Sequence, residues 1–134
     1  MAQEQKDLLL QDLSSRLPYG VKVKIKYYDN AWKLQSIYTD GTTYATRDIG
    51  YPIETYFEDC KPYLFPISSM TEEQEKEYRK VCELDTKILE NHPMDGSPFP
   101  AMYNSQDWLD AHHFDYRGLI PMGLAIDATG LNIY

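Results

Sequence analysis

Asp107 to Ala125, reading DWLDAHHFDYRGLIPMGLA, holds the densest set of residues able to do chemistry. The adjacent His112 and His113 stand among Asp107, Asp110, Asp115 and Arg117, with Trp108, Phe114 and Tyr116 interleaved. One chemistry is metal ligation by His112, His113, Asp110 and Asp115. Adjacent helical residues diverge by about 100°, so two neighbouring histidines on a regular helix rarely reach one ion, which is why HExxH places its histidines four apart. Another is hydrolysis with His113 as base. Its nucleophile would be a serine, yet Ser68, Ser69 and Ser105 lie in no GxSxG context. Glycines are too scattered for a phosphate cradle, and Cys60 and Cys82 form neither CxxC nor a zinc spacing with His92. No catalytic residue, metal ligand or cofactor is expected. A small hydrolase or metal site around His112, His113 and Asp115 stands as the third reading of function.

A second constellation is basic and aromatic. Lys22, Lys24 and Lys26 alternate along one strand, with Tyr28, Trp32 and Lys33 close behind. Lysines on one strand face can track a phosphate backbone while exposed rings stack bases. Alternating lysine is equally how an edge strand resists aggregation. The whole chain carries a net charge of −8, which repels nucleic acid at long range. The charge is uneven: six basic residues stand against two acidic ones between Arg16 and Arg47.

Periodicity indicates the elements that must hold these residues. Leu9, Leu10, Leu13 and Leu17 recur at helical spacing within a helix Gln3–Leu17 that Pro18 and Gly20 stop, with Asp7 and Asp12 on its other faces. Val21–Tyr28 alternates as a strand. Ala31–Thr39 is a second strand, with Trp32 and Leu34 on one face and a bulge near Gln35-Ser36 that brings Ile37 into phase. Thr42–Thr46 is a third and Tyr51–Phe57 a fourth, which Pro52 confines to an edge or a strand start. Lys61–Ile67, KPYLFPI, reads as an extended strap on the sheet. Thr71 and Gln74 open a long helix, Glu72–Glu90, with a capping box and an apolar stripe of Tyr78, Val81, Cys82, Ile88 and Leu89. His92–Asn104, with three prolines, reads as a packed strap. Ser105 caps a short helix to about His113, whose last-turn dipole favours an imidazolium. Asp115 then caps a one-turn helix, Tyr116–Ile120, stapled by Phe114 and Leu119. Leu124–Asp127 and Leu131–Tyr134 are short strands.

Three segments, SRLPYGVKVK, KPYLFPISSMTEEQEKEY and DWLDAHHFDYRGLI with the following GLAI, together resemble an uncharacterised family of small proteins encoded by gut Bacteroides-type genomes and their phages and prophages. The resemblance spans most of the chain. It implies a bacterial or phage cytosolic origin and carries over no functional residue.

The expected architecture is a single α+β domain over 1–134: a bent antiparallel sheet with SH3-like half-barrel character, an N-terminal helix, one long helix and a C-terminal helix-turn-strand unit. The N-terminus lacks a signal peptide's basic start and long apolar run, and no stretch is long enough for a membrane span, so a cytoplasmic protein with no membrane partner is expected. The leading functional expectation is a non-enzymatic binding or adaptor protein of phage or mobile-element origin, with another protein as its partner. Nucleic-acid binding through Lys22–Lys26 is the second. The candidate binding residues are Lys22, Lys24, Lys26, Tyr28, Trp32, Asp110, His113 and Arg117. The last three are the polar members of the C-terminal block without an assigned folding role.

Overall fold

The computed structural model describes residues 1–91, 96 and 104–134. The strap expected over His92–Asn104 lies, apart from Gly96 and Asn104, outside the described residues. The fold is α+β: among the described residues, three α-helices and a small, mostly antiparallel open sheet. Helix α1 spans Gln3–Arg16, and Leu17–Tyr19 tighten into a 3-10 turn that ends on Gly20 in the left-handed region (φ 70°). Strands β1 (Lys22–Ile25), β2 (Ala31–Ile37), β3 (Thr42–Thr46) and β4 (Ile53–Tyr56) form an antiparallel meander. A 3-10 turn at Phe57–Asp59 leads into β5 (Cys60–Pro66), which returns antiparallel beside β1. This order, β4-β3-β2-β1-β5, is compatible with SH3-like topology. Helix α2 (Glu72–Glu90) and helix α3 (Asn104–Ala111) follow. The two-residue strands β6 (Phe114–Asp115) and β7 (Ile126–Asp127) pair in parallel with the second half of β5.

Local chemistry accounts for most of these boundaries. The register of β2 against β3 shifts between Leu34 and Ser36, so the expected bulge is present. Strand β1 ends earlier than the alternation suggests. Tyr27 is left-handed (φ 73°), and the Tyr28 amide turns back to donate to the Ile25 carbonyl at 2.9 Å. Asp40-Gly41 turns the chain between β2 and β3. Gly41 stands at φ 91°, and a Cβ there would lie 2.9 Å from the Tyr56 ring, so only glycine fits. KPYLFPI is not a strap but most of β5. Its prolines are tolerated because pairing with β1 stops at Pro62 and the strand itself stops at Pro66. The capping box of α2 is formed: the Gln74 amide donates to Thr71 Oγ1 (3.1 Å) and the Thr71 amide to Gln74 Oε1 (2.9 Å).

The C-terminal segment departs further from expectation. Ser105 lies inside α3 rather than capping it, and its amide donates to Asp85 Oδ2 of α2 at 2.9 Å. Helix α3 ends at Ala111, because His113 adopts φ 63°. No one-turn helix forms over Tyr116–Ile120. Asp115 instead accepts from the amides of Leu119 (2.8 Å) and Ile120 (2.9 Å), further along the chain than an N-cap reaches, and folds a broad turn. Phe114 and Leu119 accordingly pack in different clusters rather than as a staple. Leu131–Tyr134 forms no strand.

The main core joins Leu9 and Leu13 of α1 to the inner face of the sheet, through Val21, Val23, Ile25, Trp32, Leu34, Ala45, Cys60 and Leu64, with Leu119 and Leu124 closing it. A second cluster centres on Trp108, Leu109 and Phe114, with Tyr78 and Val81 of α2 packed against it. Helix α1 covers the inner face; on the outer face of β1–β3, Lys33 and Gln35 are exposed and Lys22, Lys24, Thr42, Tyr44 and Thr46 are half-buried.

Candidate functional site: a buried charge clasp and a basic sheet face

The histidine-rich block packs His112 on Trp108 and His113 on Tyr134. Its charged residues meet α1 in the interior. Asp12 and Arg16, one helical turn apart on α1, are both 0% exposed. Arg16 Nε donates to both Asp12 carboxylate oxygens at 3.0 Å, and Nη2 donates to the Phe114 carbonyl at 2.6 Å. Arg117 Nη1 reaches Asp12 Oδ1 at 2.8 Å and Ser15 Oγ at 3.1 Å. Asp110, also buried, accepts from the Tyr116 hydroxyl at 2.7 Å and lies 4.0 Å from each arginine. Two carboxylates and two guanidiniums thus make a neutral group that ties α1 to the C-terminal segment. Asp110 and Arg117, to which the sequence assigned no folding role, therefore have one, and Asp12, expected on a face of α1 other than the leucine stripe, is buried. Burial raises the Asp110 carboxyl above its ordinary pKa, against the opposing pull of Tyr116, Arg16 and Arg117. Arg16 Nη1 has no acceptor among the described residues.

The histidines are fixed by packing. His112 stacks on Trp108 (4.0 Å between centroids), with Nδ1 2.8 Å from the Trp108 carbonyl. His113 stacks on Tyr134 at 3.7 Å, and its Nδ1 is buried with no hydrogen-bond partner among the described residues. Burial pushes the His113 pKa down to about 4, helped by Arg16, His112 and Lys22. The imidazolium expected from the helix dipole is thus disfavoured at His113, because the left-handed turn carries the ring off the helix and into a dry, cationic surround. Among the described residues no group of three or more His, Cys, Asp or Glu is placed to hold a metal. The Cys60 thiol, pushed up to about 12 by burial and then by Asp59, stays protonated and is no nucleophile.

His113 gives the fold a pH dependence of definite sign. Its folded pKa is depressed below the ordinary 6.5, so the unfolded chain takes up a proton that the folded chain refuses. The stability this neutral ring allows is complete above pH 6.5 and is lost progressively as pH falls toward 4. Asp110, raised, acts in the opposite sense in a window that starts at the ordinary carboxylate value of 3.8, so the His113 contribution is isolated by its own variant. Thermal melts should show Tm falling from pH 7 to pH 5. His113→Asn, which suits a left-handed backbone and does not titrate, should flatten that slope. An unchanged slope in the variant would show that His113 is not responsible.

The outer face of the sheet is the second place where the sequence puts charge. Lys22 on β1 lies directly opposite Lys33 on β2, and Lys24 on β1 directly opposite Lys61 on β5. Like charges in such register positions repel, and directly opposed side chains sit about 5 Å apart. Lys22 Nζ is held to the Ile133 carbonyl and Lys24 Nζ to the Tyr28 carbonyl, each at 2.9 Å, and none of the four lysines has an ion-pair partner among the described residues. Lys26 is exposed beyond the end of β1, with Nζ over the Tyr27 ring at 5.2 Å. A depression of about 400 Å³ is lined by Lys22, Lys33, Thr46 and Arg47, with Asp48 beside them. A second, of about 460 Å³, is lined by Lys24, Lys26, Lys61 and Tyr27, with Glu58 and Asp59 beside them.

The aromatic part of the expected basic site is rearranged. Trp32 is buried on the inner face, opposite to Lys33, and cannot stack a surface ligand. It serves instead as a brace, with Arg47 4.5 Å above its ring and Tyr28 edge-on at 5.6 Å. Tyr28 is exposed, and Tyr27 and Tyr51 protrude almost fully (89% and 92%). Lys61 and Arg47 escaped the sequence reading. Lys61 joins the array only once KPYLFPI is recognised as a strand, because the register beside β1 is what sets it against Lys24.

No helix among the described residues is long and apolar enough to cross a membrane. Comparison with family models, curated proteins and solved structures gave no match.

Proposed function

We propose that the protein is a non-enzymatic binding protein of the cytoplasm, of phage or mobile-element origin as its resemblance implies, and that its working surface is the basic outer face of the sheet. The observation that carries this reading is the pair of opposed lysine pairs, Lys22 with Lys33 and Lys24 with Lys61. A chain with 21 acidic residues and 13 basic ones has acids to spare for neutralising such a face, yet among the described residues none forms an ion pair with these four lysines. Repulsion in register costs folding energy, and an anionic partner would relieve it. The burial of the Asp110 and Arg117 side chains and of His113 Nδ1 favours binding over catalysis at this cluster, because these groups present no reacting atom to a substrate.

Chromatography on a sulfonate exchanger at pH 7 and low salt tests the reading. The wild-type protein, despite its net negative charge, should be retained through this face. The Lys24→Glu/Lys33→Glu/Lys61→Glu variant should flow through with its circular dichroism unchanged. Wild-type protein in the flow-through would sink the proposal.

A further inference from the structure

We infer that the occupant of this face is single-stranded nucleic acid, an inference that rests on the binding reading above and names its partner. The two depressions on the outer face share β1: Lys22 lines one and Lys24, two residues on, lines the other. Cations therefore run from Lys33 through Lys22, Lys24 and Lys61 to Lys26, with Asp48, Glu58 and Asp59 at the margins. Strand spacing and rise make the stretch from Lys33 to Lys26 roughly 15 Å long, enough for a few consecutive phosphates.

Charge alone would suit an acidic protein segment or a duplex equally well. The rings favour unpaired bases. Tyr27 stands at the Lys26 end with its ring 89% exposed, and it holds a left-handed backbone (φ 73°) that a bulky side chain adopts at a cost. Tyr28, the next residue, is also exposed, and Lys26 Nζ already sits over the Tyr27 face. At the other end of the track Tyr51 is 92% exposed, four residues beyond Arg47. A duplex keeps its bases stacked on one another and has no use for such rings, and an acidic peptide needs only the cations. Unpaired bases with a phosphate chain use both. The acids beside the track, Asp48, Glu58 and Asp59, limit binding to low or moderate salt.

Fluorescence anisotropy of a labelled oligothymidylate of about 12 nucleotides tests the inference with the full chain. Binding is expected at low salt, with log affinity falling against log salt at a slope of about −3, as for four neutralised phosphates on a single strand. Lys24→Gln/Lys33→Gln/Lys61→Gln should weaken binding about tenfold or more and flatten the slope. That variant removes both like-charge oppositions, so it should melt no lower than wild type. Tyr27→Gly suits the positive φ and deletes the ring; it should weaken binding about fivefold or more at an unchanged slope. Absence of binding at low salt, or equal binding of a duplex and of polyglutamate, would overturn the inference, as would an undiminished affinity in Tyr27→Gly. Retention on the sulfonate exchanger without oligothymidylate binding would overturn this inference alone, whereas failure of both would remove the binding reading with it.

Discussion

Arg16→Met should destabilise the protein by about 3–5 kcal/mol, measured as a shift in the midpoint of urea unfolding followed by circular dichroism. Methionine keeps the apolar stem and the helix propensity of α1, so the loss is confined to the guanidinium. Its removal takes both Nε bonds from Asp12 and the donor from the Phe114 carbonyl, and leaves Asp12 and Asp110 sharing only Arg117. A buried unit that was neutral then carries one uncompensated negative charge. The surface pair Lys6–Glu58, 3.4 Å apart and partly exposed on both sides, sets the scale: Lys6→Met should cost no more than about 1 kcal/mol. Adding Asp12→Leu to Arg16→Met restores neutrality, since Asp110 and Arg117 remain as a pair. The double variant should therefore be more stable than the sum of the single changes predicts, by more than about 1 kcal/mol. A loss under 1 kcal/mol for Arg16→Met, or strict additivity in the double variant, would mean that the cluster does not act as one charge-balanced unit.

The same cluster shows what local pattern reveals and what it hides. Elements whose signal is local were legible: the capping box at Thr71 and Gln74, the bulge after Leu34 and the turn at Asp40-Gly41 each depend on residues a few positions apart. The edge position of β4 followed from Pro52 in the same way. The partners of the C-terminal block were not legible, because Asp12 and Arg16 lie about 100 residues away in sequence from Asp110 and Arg117. A signal did exist. An Asp–Arg pair four apart, interleaved with Leu9, Leu13 and Leu17, places both charges beside an apolar stripe, where a charge survives only if it is paired. Lys61 was hidden for a different reason. Two prolines argued against a strand, and only the change of partners along β5, from β1 to β7 and β6, makes room for them. His113 misled through its backbone: a left-handed residue at a helix end reverses the surroundings that the helix dipole would supply.

The face and the clasp are linked through the C-terminal segment. Tyr134 stacks on His113, its hydroxyl donates to the Tyr63 carbonyl at 2.7 Å, and the Lys22 amide donates to that same hydroxyl at 3.0 Å. Ile133 supplies the carbonyl that holds Lys22 Nζ. The segment packed against the buried charges therefore also sets the aim of one of the four lysines. Loosening the clasp should blur the basic array as well as weaken the fold, and this is why Arg16 is better probed by stability than by ligand binding.

Trp108→Ala should cost about 3–5 kcal/mol, and its effect should fall first on α2. None of the 19 residues of α2 is buried, although Tyr78 and Val81 are partly covered, and Leu84 and Leu89 are about half exposed. The expected apolar stripe thus packs only in part, and few anchors join α2 to the rest of the described structure. Trp108 provides most of them. Its ring packs on Tyr78 at 5.4 Å and on Phe114 at 5.8 Å, and its indole N–H donates to Glu77 Oε1 at 2.9 Å. Among the described residues a further polar tie is the Ser105 amide to Asp85. Helices in proteins owe most of their stability to a packed face, so removing the indole should release α2 before the sheet. Hydrogen exchange read by mass spectrometry should show faster exchange across Glu72–Glu90 in Trp108→Ala, while β1–β3, packed on α1 in the other cluster, keep protection near the wild-type level. Uniform loss of protection in both regions would show that the two clusters unfold as one unit and that α2 owes its place to the whole core rather than to a single ring.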